Sequence, residues 1–242
     1  PLNQLVFYLS NVFSGNSIVG GLVSIRLFLI ASEIALFFGL KKLLGELEIN
    51  LKWILFYWIN PLVIMELVGN LHMETFMLAG FVWTVFFLFK KNWVLASICL
   101  FVSVNGKLHS LMFLPLIFRF LGIKKFTLFS LVLIVLLMIS FIPLIDLEQL
   151  QNMLESLNLY FQRFEFNASV FYLIRELGYF MVGYDWIKQA GPILSSISLG
   201  IILFISLRSK VNSLQDLLKR SFWVFFCFLL FNGIKLEVWI PS

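Results

Sequence analysis

Asn60-Pro61-Leu62-Val63-Ile64-Met65-Glu66-Leu67-Val68-Gly69-Asn70-Leu71-His72-Met73-Glu74 forms a polar knot in a very apolar chain. Apolar segments of membrane thickness flank it, so Glu66, Asn70, His72 and Glu74 are expected at or near membrane depth. An ionisable residue there costs about 2.5–3.5 kcal/mol on insertion scales and marks a functional site by default. The alternative is an interhelical polar clamp that only holds helices together. Asn60, Glu66, Asn70, His72 and Glu74 within one short stretch favour the functional reading.

Outward from the knot, composition sets the fold class. Of 242 residues, 61% are hydrophobic and 13% charged, with a mean hydropathy of +0.98. A soluble domain carries roughly 25% charge. The 29 Phe and 7 Trp are a lipid-facing bias. The apolar runs are continuous and do not alternate, which argues against a β-barrel. The expected fold is all-α, a polytopic integral membrane helical bundle. The candidate membrane segments are Gly21 to Leu40, Trp53 to Gly69, Phe76 to Phe89, Trp93 to Val104, Leu111 to Phe120, Phe126 to Ile145, Ile193 to Leu207 and Phe222 to Ile240. Those on either side of Lys107 are short legs joined at Asn105-Gly106.

Several chemistries are excluded. Cys99 and Cys227 sit in apolar runs without metal spacing and read as small buried hydrophobes. Two His exclude a His-rich metal site. There is no Gly-rich phosphate loop and no zinc pattern. The residues call for no cofactor, indicate no divalent metal and suggest no nucleic-acid partner.

Basic residues cluster at Lys41, Lys42 and Lys52, at Lys90 and Lys91, at Arg119, Lys124 and Lys125, and at Arg208, Lys210, Lys219 and Arg220. The positive-inside rule makes these connections cytoplasmic. Eight of the 13 acids, Glu66 and Glu74 among them, then fall on the extracytoplasmic side. The connection over 146–188 is expected there too, as a helical segment. In it Leu147, Leu150, Leu154, Leu157, Phe161 and Phe164 recur at helical steps and predict an amphipathic helix. A second helix is expected over Val170 to Met181, with Asn167 or Ser169 as its N-cap.

The candidate chemistry lies on that side. In a continuous helix Glu66, Asn70 and Glu74, four apart, would line one face, although Pro61 and Gly69 argue for a bend or break nearby. Lys107, with His109 two residues on, suits an anionic ligand such as a lipid phosphate, or snorkels to the interface. Gln162, Arg163, Glu165, Asn167 and Arg175 are interleaved with aromatics, a pattern that suits sugars, lipid head groups or an interfacial belt. Arg26 and Glu33, seven apart on one face of the first long helix, could pair with each other or with neighbours and read as structural.

Asn60-Pro61, Glu66, Asn70, His72 and Glu74 resemble the NP-x-x-x-x-E-x-x-x-N-x-H-x-D/E signature of bacterial polyprenol-phosphate-mannose-dependent mannosyltransferases, which are GT-C class membrane enzymes. Pro1-Leu2-Asn3-Gln4 resembles a PPL-x-Q segment of that family, and Lys107 with Pro115 its K-x-x-P segment. Tyr160 to Ser169 with Arg175 resembles versions from Bacteroidetes-like bacteria. Phe231 to Trp239 departs from the family's HPWY-type motif. The resemblance implies an inverting glycosyltransferase that moves a sugar, mannose by analogy, from a polyprenyl-phosphate donor. The acceptor would be an extracytoplasmic glycan or lipid, at the bacterial inner membrane. It implies that Glu66, Asn70, His72 and Glu74 shape the sugar and acceptor site, with Glu165 and Asn167 as further binding residues. Lys107 and Arg175 are then phosphate partners. The family's catalytic acid is expected before Pro1, so residues 1–242 read as one transmembrane domain that lacks the first transmembrane helix and first extracytoplasmic loop of a longer protein. The competing expectations are a transporter or flippase of lipid-linked sugars and a non-catalytic membrane scaffold.

Overall fold

A computed structural model describes residues 1–15, 17–142, 155, 169–183, 187–208 and 210–231. The described residues are helical and contain no strand, and the chain is a helical membrane protein. The amphipathic stretch expected over 147–164 and the Asn167 cap lie outside the described residues, except for Glu155.

Helices α1 (Leu2–Ser14) and α2 (Ile18–Glu46) open the chain. Ser17 caps α2 by accepting from the Gly20 amide at 3.1 Å. A 3-10 turn (Leu51–Trp53) leads into α3 (Ile54–Trp58), and α4 (Pro61–Val63) leads into a π-helical turn (Ile64–Gly69). Then follow α5 (Glu74–Phe89), α6 (Trp93–Gly106), a 3-10 turn (Leu108–Phe113), α7 (Leu114–Leu121) and α8 (Ile123–Phe141). After the undescribed stretch come α9 (Ser169–Val182), α10 (Ile187–Leu207) and α11 (Leu214–Phe231).

Among the described residues two helices, α2 and α8, are long and apolar enough to cross a bilayer. The pair Leu51–Trp58 and Pro61–Gly69 makes a third candidate, bent by 53°. The remaining apolar helices are shorter: α5, at 16 residues, spans about 24 Å against a hydrocarbon core of about 30 Å. The segments on either side of Lys107 are short legs, as their length in the sequence suggests. Apolarity alone does not distinguish a lipid-exposed span from a short helix packed inside protein.

The chain divides into two compact units. In the first (Pro1–Leu114, Leu121–Pro143 and Ser213–Gln215), α5 and α6 pack closely against each other and against α2 and α8. Lipid is as apolar as a leucine side chain, so hydrophobic burial does not separate helix from bilayer. Close backbone approach and interhelical hydrogen bonds do. Gly80 supplies the approach: a Cβ there would lie 2.6 Å from the Ser103 amide nitrogen and 2.7 Å from the Cys99 carbonyl. Ser103 Oγ donates to the Met77 carbonyl at 2.7 Å, and Thr84 Oγ1 donates to the carbonyls of Gly80 and Ala96 at 2.8 and 3.3 Å. Ser97 Oγ reaches the Phe129 carbonyl of α8 at 2.8 Å, and Trp83 Nε1 reaches the Ala35 carbonyl of α2 at 2.9 Å. Leu131, Ile134, Val135, Met138 and Ile139 of α8 stay exposed, as a lipid-facing surface requires. Ser103→Ala is expected to lower the unfolding free energy in detergent by about 0.5–1.5 kcal/mol, because it removes a buried hydrogen bond between α6 and α5. An unchanged denaturation midpoint for this variant would remove that bond from the account.

In the second unit, Leu194 of α10 is buried against Val170 and Ile174 of α9 and Phe231 of α11. Arg220 grips Asp216 through both carboxylate oxygens at 3.0 and 3.1 Å, and also donates to the Lys210 and Ile205 carbonyls.

Candidate functional site

The knot is built by a break in helical pitch. Asn60 Oδ1 accepts from the Leu62 amide at 3.0 Å, and Pro61 occupies the first helical position, where its missing N–H is no loss. After Val63 the backbone widens. The Asn70 amide donates to the Met65 carbonyl at 2.8 Å, and the His72 amide to the Leu67 carbonyl at 3.0 Å. Such five-residue steps define a π-turn, a feature found disproportionately at functional sites. Leu71 then takes φ +58°, a left-handed conformation that is strained for a leucine. The helical run is interrupted there, and α5 starts at Glu74.

The break that Pro61 and Gly69 argue for therefore separates residues that one continuous helix would have placed on a single face. Glu66 lies on the π-turn, Asn70 ends it, His72 sits in the link and Glu74 begins a new helix. The residues still meet, by a different route. Asn70 Nδ2 donates to Glu66 Oε2 at 3.2 Å. His72 Nδ1 stands 3.8 Å from Glu66 Oε2 and 4.0 Å from Glu74 Oε2, ion-pair range when the imidazole is protonated. Lys107 Nζ donates to Glu74 Oε1. The result is a chain of contacts, Asn70–Glu66–His72–Glu74–Lys107. Its outer members are open, with 45% of the Glu66 side chain and 48% of His72 exposed. Its inner pair is more covered, at 25% for Glu74 and 31% for Lys107.

Both inner residues are placed by backbone. Glu74 occupies the first turn of α5, where the helix dipole favours a carboxylate. Lys107 follows α6 in extended conformation, with φ −156° and ψ 130°. Gly106 lets it come close: a Cβ there would sit 2.8 Å from the Met77 amide nitrogen. Asn3 Nδ2 holds the Gly106 carbonyl at 3.3 Å, so the Pro1-Leu2-Asn3-Gln4 segment lies beside the Lys107 turn. Ser103 and Ser110 share a 2.6 Å hydroxyl contact across the same turn. His109 is half-buried on the 3-10 turn that follows.

Of the two alternatives for Arg26 and Glu33, each other or neighbours, the structure shows neighbours. Glu33 is buried and accepts from the Tyr57 hydroxyl at 3.2 Å, while Arg26 Nη2 donates to the Gly69 carbonyl, the last of the π-turn, at 3.4 Å. Arg26 thus belongs to the knot, a role sequence spacing did not reveal. Its position in an otherwise apolar helix was the only available signal. Arg175 lies on α9 in the second unit and donates to its neighbour Glu176 at 3.3 Å. Glu165 and Asn167 lie outside the described residues.

Along the bent pair, Lys52, Leu55, Phe56, Ile59 and Asn60 line an apolar-walled cavity of about 390 Å³. At the far end of α5 and α2 the charge reverses in kind: Lys90 pairs with Glu46 at 2.5 Å, and both Lys42 and Lys90 lie over the Phe86 ring. The knot and this basic cluster therefore occupy opposite ends of α5, about 24 Å apart. Among the described residues no group of three or more His, Cys, Asp or Glu is placed to hold a metal ion.

The arrangement presents a carboxylate, an amide and an imidazole outward, over a carboxylate already neutralised by an ammonium. Carboxylates accept from hydroxyls, and amides do both, so the outer rim suits a polyhydroxylated ligand. Residues 1–122, which hold the whole knot and Lys107, match the family model described as alpha-(1->6)-mannopyranosyltransferase, N-terminal domain. No curated protein and no solved structure matches the chain.

Proposed function

Because the chain belongs to the alpha-(1->6)-mannopyranosyltransferase family, whose role is mannosyl transfer, we propose that it draws mannose from a polyprenyl-phosphate donor in a GT-C-type reaction. The acceptor is an extracytoplasmic glycan or lipid, and the membrane is the bacterial inner membrane. The observation that carries this reading is the contiguous chain from Asn70 to Lys107, which lies wholly inside the matched residues. The charge asymmetry along α5 supports an extracytoplasmic knot, since Lys42 and Lys90 gather at the opposite end.

In the proposed reaction the acceptor 6-hydroxyl attacks the anomeric carbon of mannose. The bond from that carbon to the phosphate oxygen breaks, and the lipid phosphate departs with the electron pair. The hydroxyl proton passes to a carboxylate base. A single displacement on a β-linked donor gives an alpha product, hence inversion. Glu66, Asn70 and His72 bind sugar hydroxyls at the rim. Glu74 and Lys107 fix the floor: Glu74 already accepts from the ammonium and is assigned to binding rather than to proton abstraction. Lys107 adds positive charge on the side where phosphate charge develops.

The test uses the full-length protein in bilayer discs with radiolabelled polyprenyl-phosphate mannose and, separately, a nucleotide-linked mannose. Transfer is expected from the lipid donor alone. Glu66→Gln and Asn70→Ala are each expected to lower kcat/KM by about 10–100-fold, the loss of one or two hydrogen bonds to substrate. Absence of turnover with the lipid donor, or undiminished turnover in both variants, would overturn the assignment.

A further inference from the structure

We propose that Arg26 is a further cation, in addition to Lys107, that receives the phosphate of the lipid-linked donor. This inference rests on the reading above and assigns one of its binding partners. Arg26 is the ninth residue of α2, about 12 Å along the axis from Ile18. It sits in a membrane-spanning helix among Leu22, Val23, Leu27 and Ile30, all of them exposed. Arg26 is exposed as well. An arginine on an apolar, exposed face of a candidate membrane span is costly unless an anion or a polar cavity receives it.

Its present partner leaves that cost uncompensated. A guanidinium carries five N–H donors in a rigid fork. Here one of them reaches a neutral carbonyl, Gly69, at 3.4 Å. Among the described residues no carboxylate stands within ion-pair distance of it. The other basic groups expected to meet phosphate are differently placed: Lys107 is charge-paired with Glu74, and Arg175 bonds Glu176.

The surroundings indicate what the anion is. A phosphate monoester or diester accepts the guanidinium fork through two oxygens. A lipid chain attached to that phosphate would lie on the exposed apolar surface formed by Leu22, Leu27 and Ile30. A sugar on its other side would face the knot, because Arg26 touches the last residue of the π-turn that carries Glu66 and Asn70. An ordinary anionic phospholipid shares the phosphate and the chain but carries no mannose for the rim.

The experiment uses the full-length protein in zwitterionic discs. Polyprenyl phosphate binding is followed by native mass spectrometry, and donor KM and kcat are measured alongside. Arg26→Gln is expected to weaken polyprenyl phosphate binding and raise the donor KM by about tenfold or more, with a smaller change in kcat. Arg26→Lys, which keeps the charge but loses the fork, is expected to fall between wild type and Arg26→Gln. If Arg26→Gln does not fold, Arg26→Lys decides: its KM should rise about threefold or more. Unchanged binding and KM in a folded Arg26 variant, while wild type transfers mannose, would overturn this inference and leave the proposed function standing. Equal displacement of polyprenyl phosphate by phosphatidylglycerol would overturn the donor assignment and leave a general anionic-lipid contact. A wild type that neither binds polyprenyl phosphate nor transfers from it would overturn both.

Discussion

Replacement of Lys107 by methionine is expected to abolish measurable mannosyl transfer and to lower the thermal midpoint in detergent by about 5 °C. The reason is electrostatic. Lys107 Nζ is hydrogen-bonded to Glu74 Oε1, and the pair is only 31% and 25% exposed. Removal of the ammonium leaves a partly covered carboxylate beside Glu66, with His72 as the remaining neutralising group. A fully buried orphan charge costs about 3–5 kcal/mol, and the residual exposure here reduces that to about 1–3 kcal/mol. The double variant Lys107→Met with Glu74→Gln separates the two roles of the pair. It should regain most of the stability, since no charge is left unpaired, and stay inactive, since the floor of the proposed sugar site has lost both groups. A double variant with activity restored would show the pair to be structural only.

The second large effect is expected at Gly80 and Gly106, which carry no chemistry. In Gly80→Ala the new methyl would lie 2.6, 2.7 and 2.9 Å from Ser103 N, Cys99 O and Ser103 Cα. All three are backbone atoms, so no rotamer change relieves the clash and α6 must move as a body. Overpacking of this kind costs about 1–3 kcal/mol, and here the 2.7 Å bond from Ser103 to the Met77 carbonyl is stretched as well. Gly106→Ala meets Met77 N at 2.8 Å and Phe76 Cβ at 3.2 Å, immediately before Lys107. Its effect should fall more on activity than on stability, because any shift of this residue carries Lys107 away from Glu74. Gly45 is the control. Nothing lies within 4 Å of a Cβ at that position in α2, so Gly45→Ala should stabilise by about 0.5–1 kcal/mol through helix propensity alone. If all three variants melt alike, close approach of α5 and α6 does not limit stability.

These expectations rest on contacts of unequal visibility in the sequence. The knot was visible because polar residues in an apolar chain are costly wherever the chain folds. The break near Pro61 and Gly69 was visible because proline and glycine act locally, and the structure bends the pair there by 53°. The form of the break was not. A π-turn depends on one extra residue being accommodated by its surroundings, here with Leu71 forced to φ +58°. Spacing at four residues therefore predicted one face, while the fold carried Glu74 into the next helix. For Arg26 and Glu33 the spacing left two alternatives open, each other or neighbours, for a related reason. Seven residues on a helix bring Arg26 and Glu33 to the same side, but Tyr57 and the Gly69 carbonyl come from elsewhere in the chain and take them separately.

The sequence by itself determined the helical membrane class, the polar residues of the site and the family resemblance. Each of these follows from residue chemistry or from order along the chain, neither of which needs a fold. Only the tertiary structure decided that Glu74 pairs with Lys107, that Asn3 braces Gly106 and that Arg26 meets the π-turn. Those contacts span 33, 103 and 43 residues, and distance along a chain carries no information about which helix faces close against one another. In this protein that closure is set by small residues at α5 and α6, where backbone meets backbone.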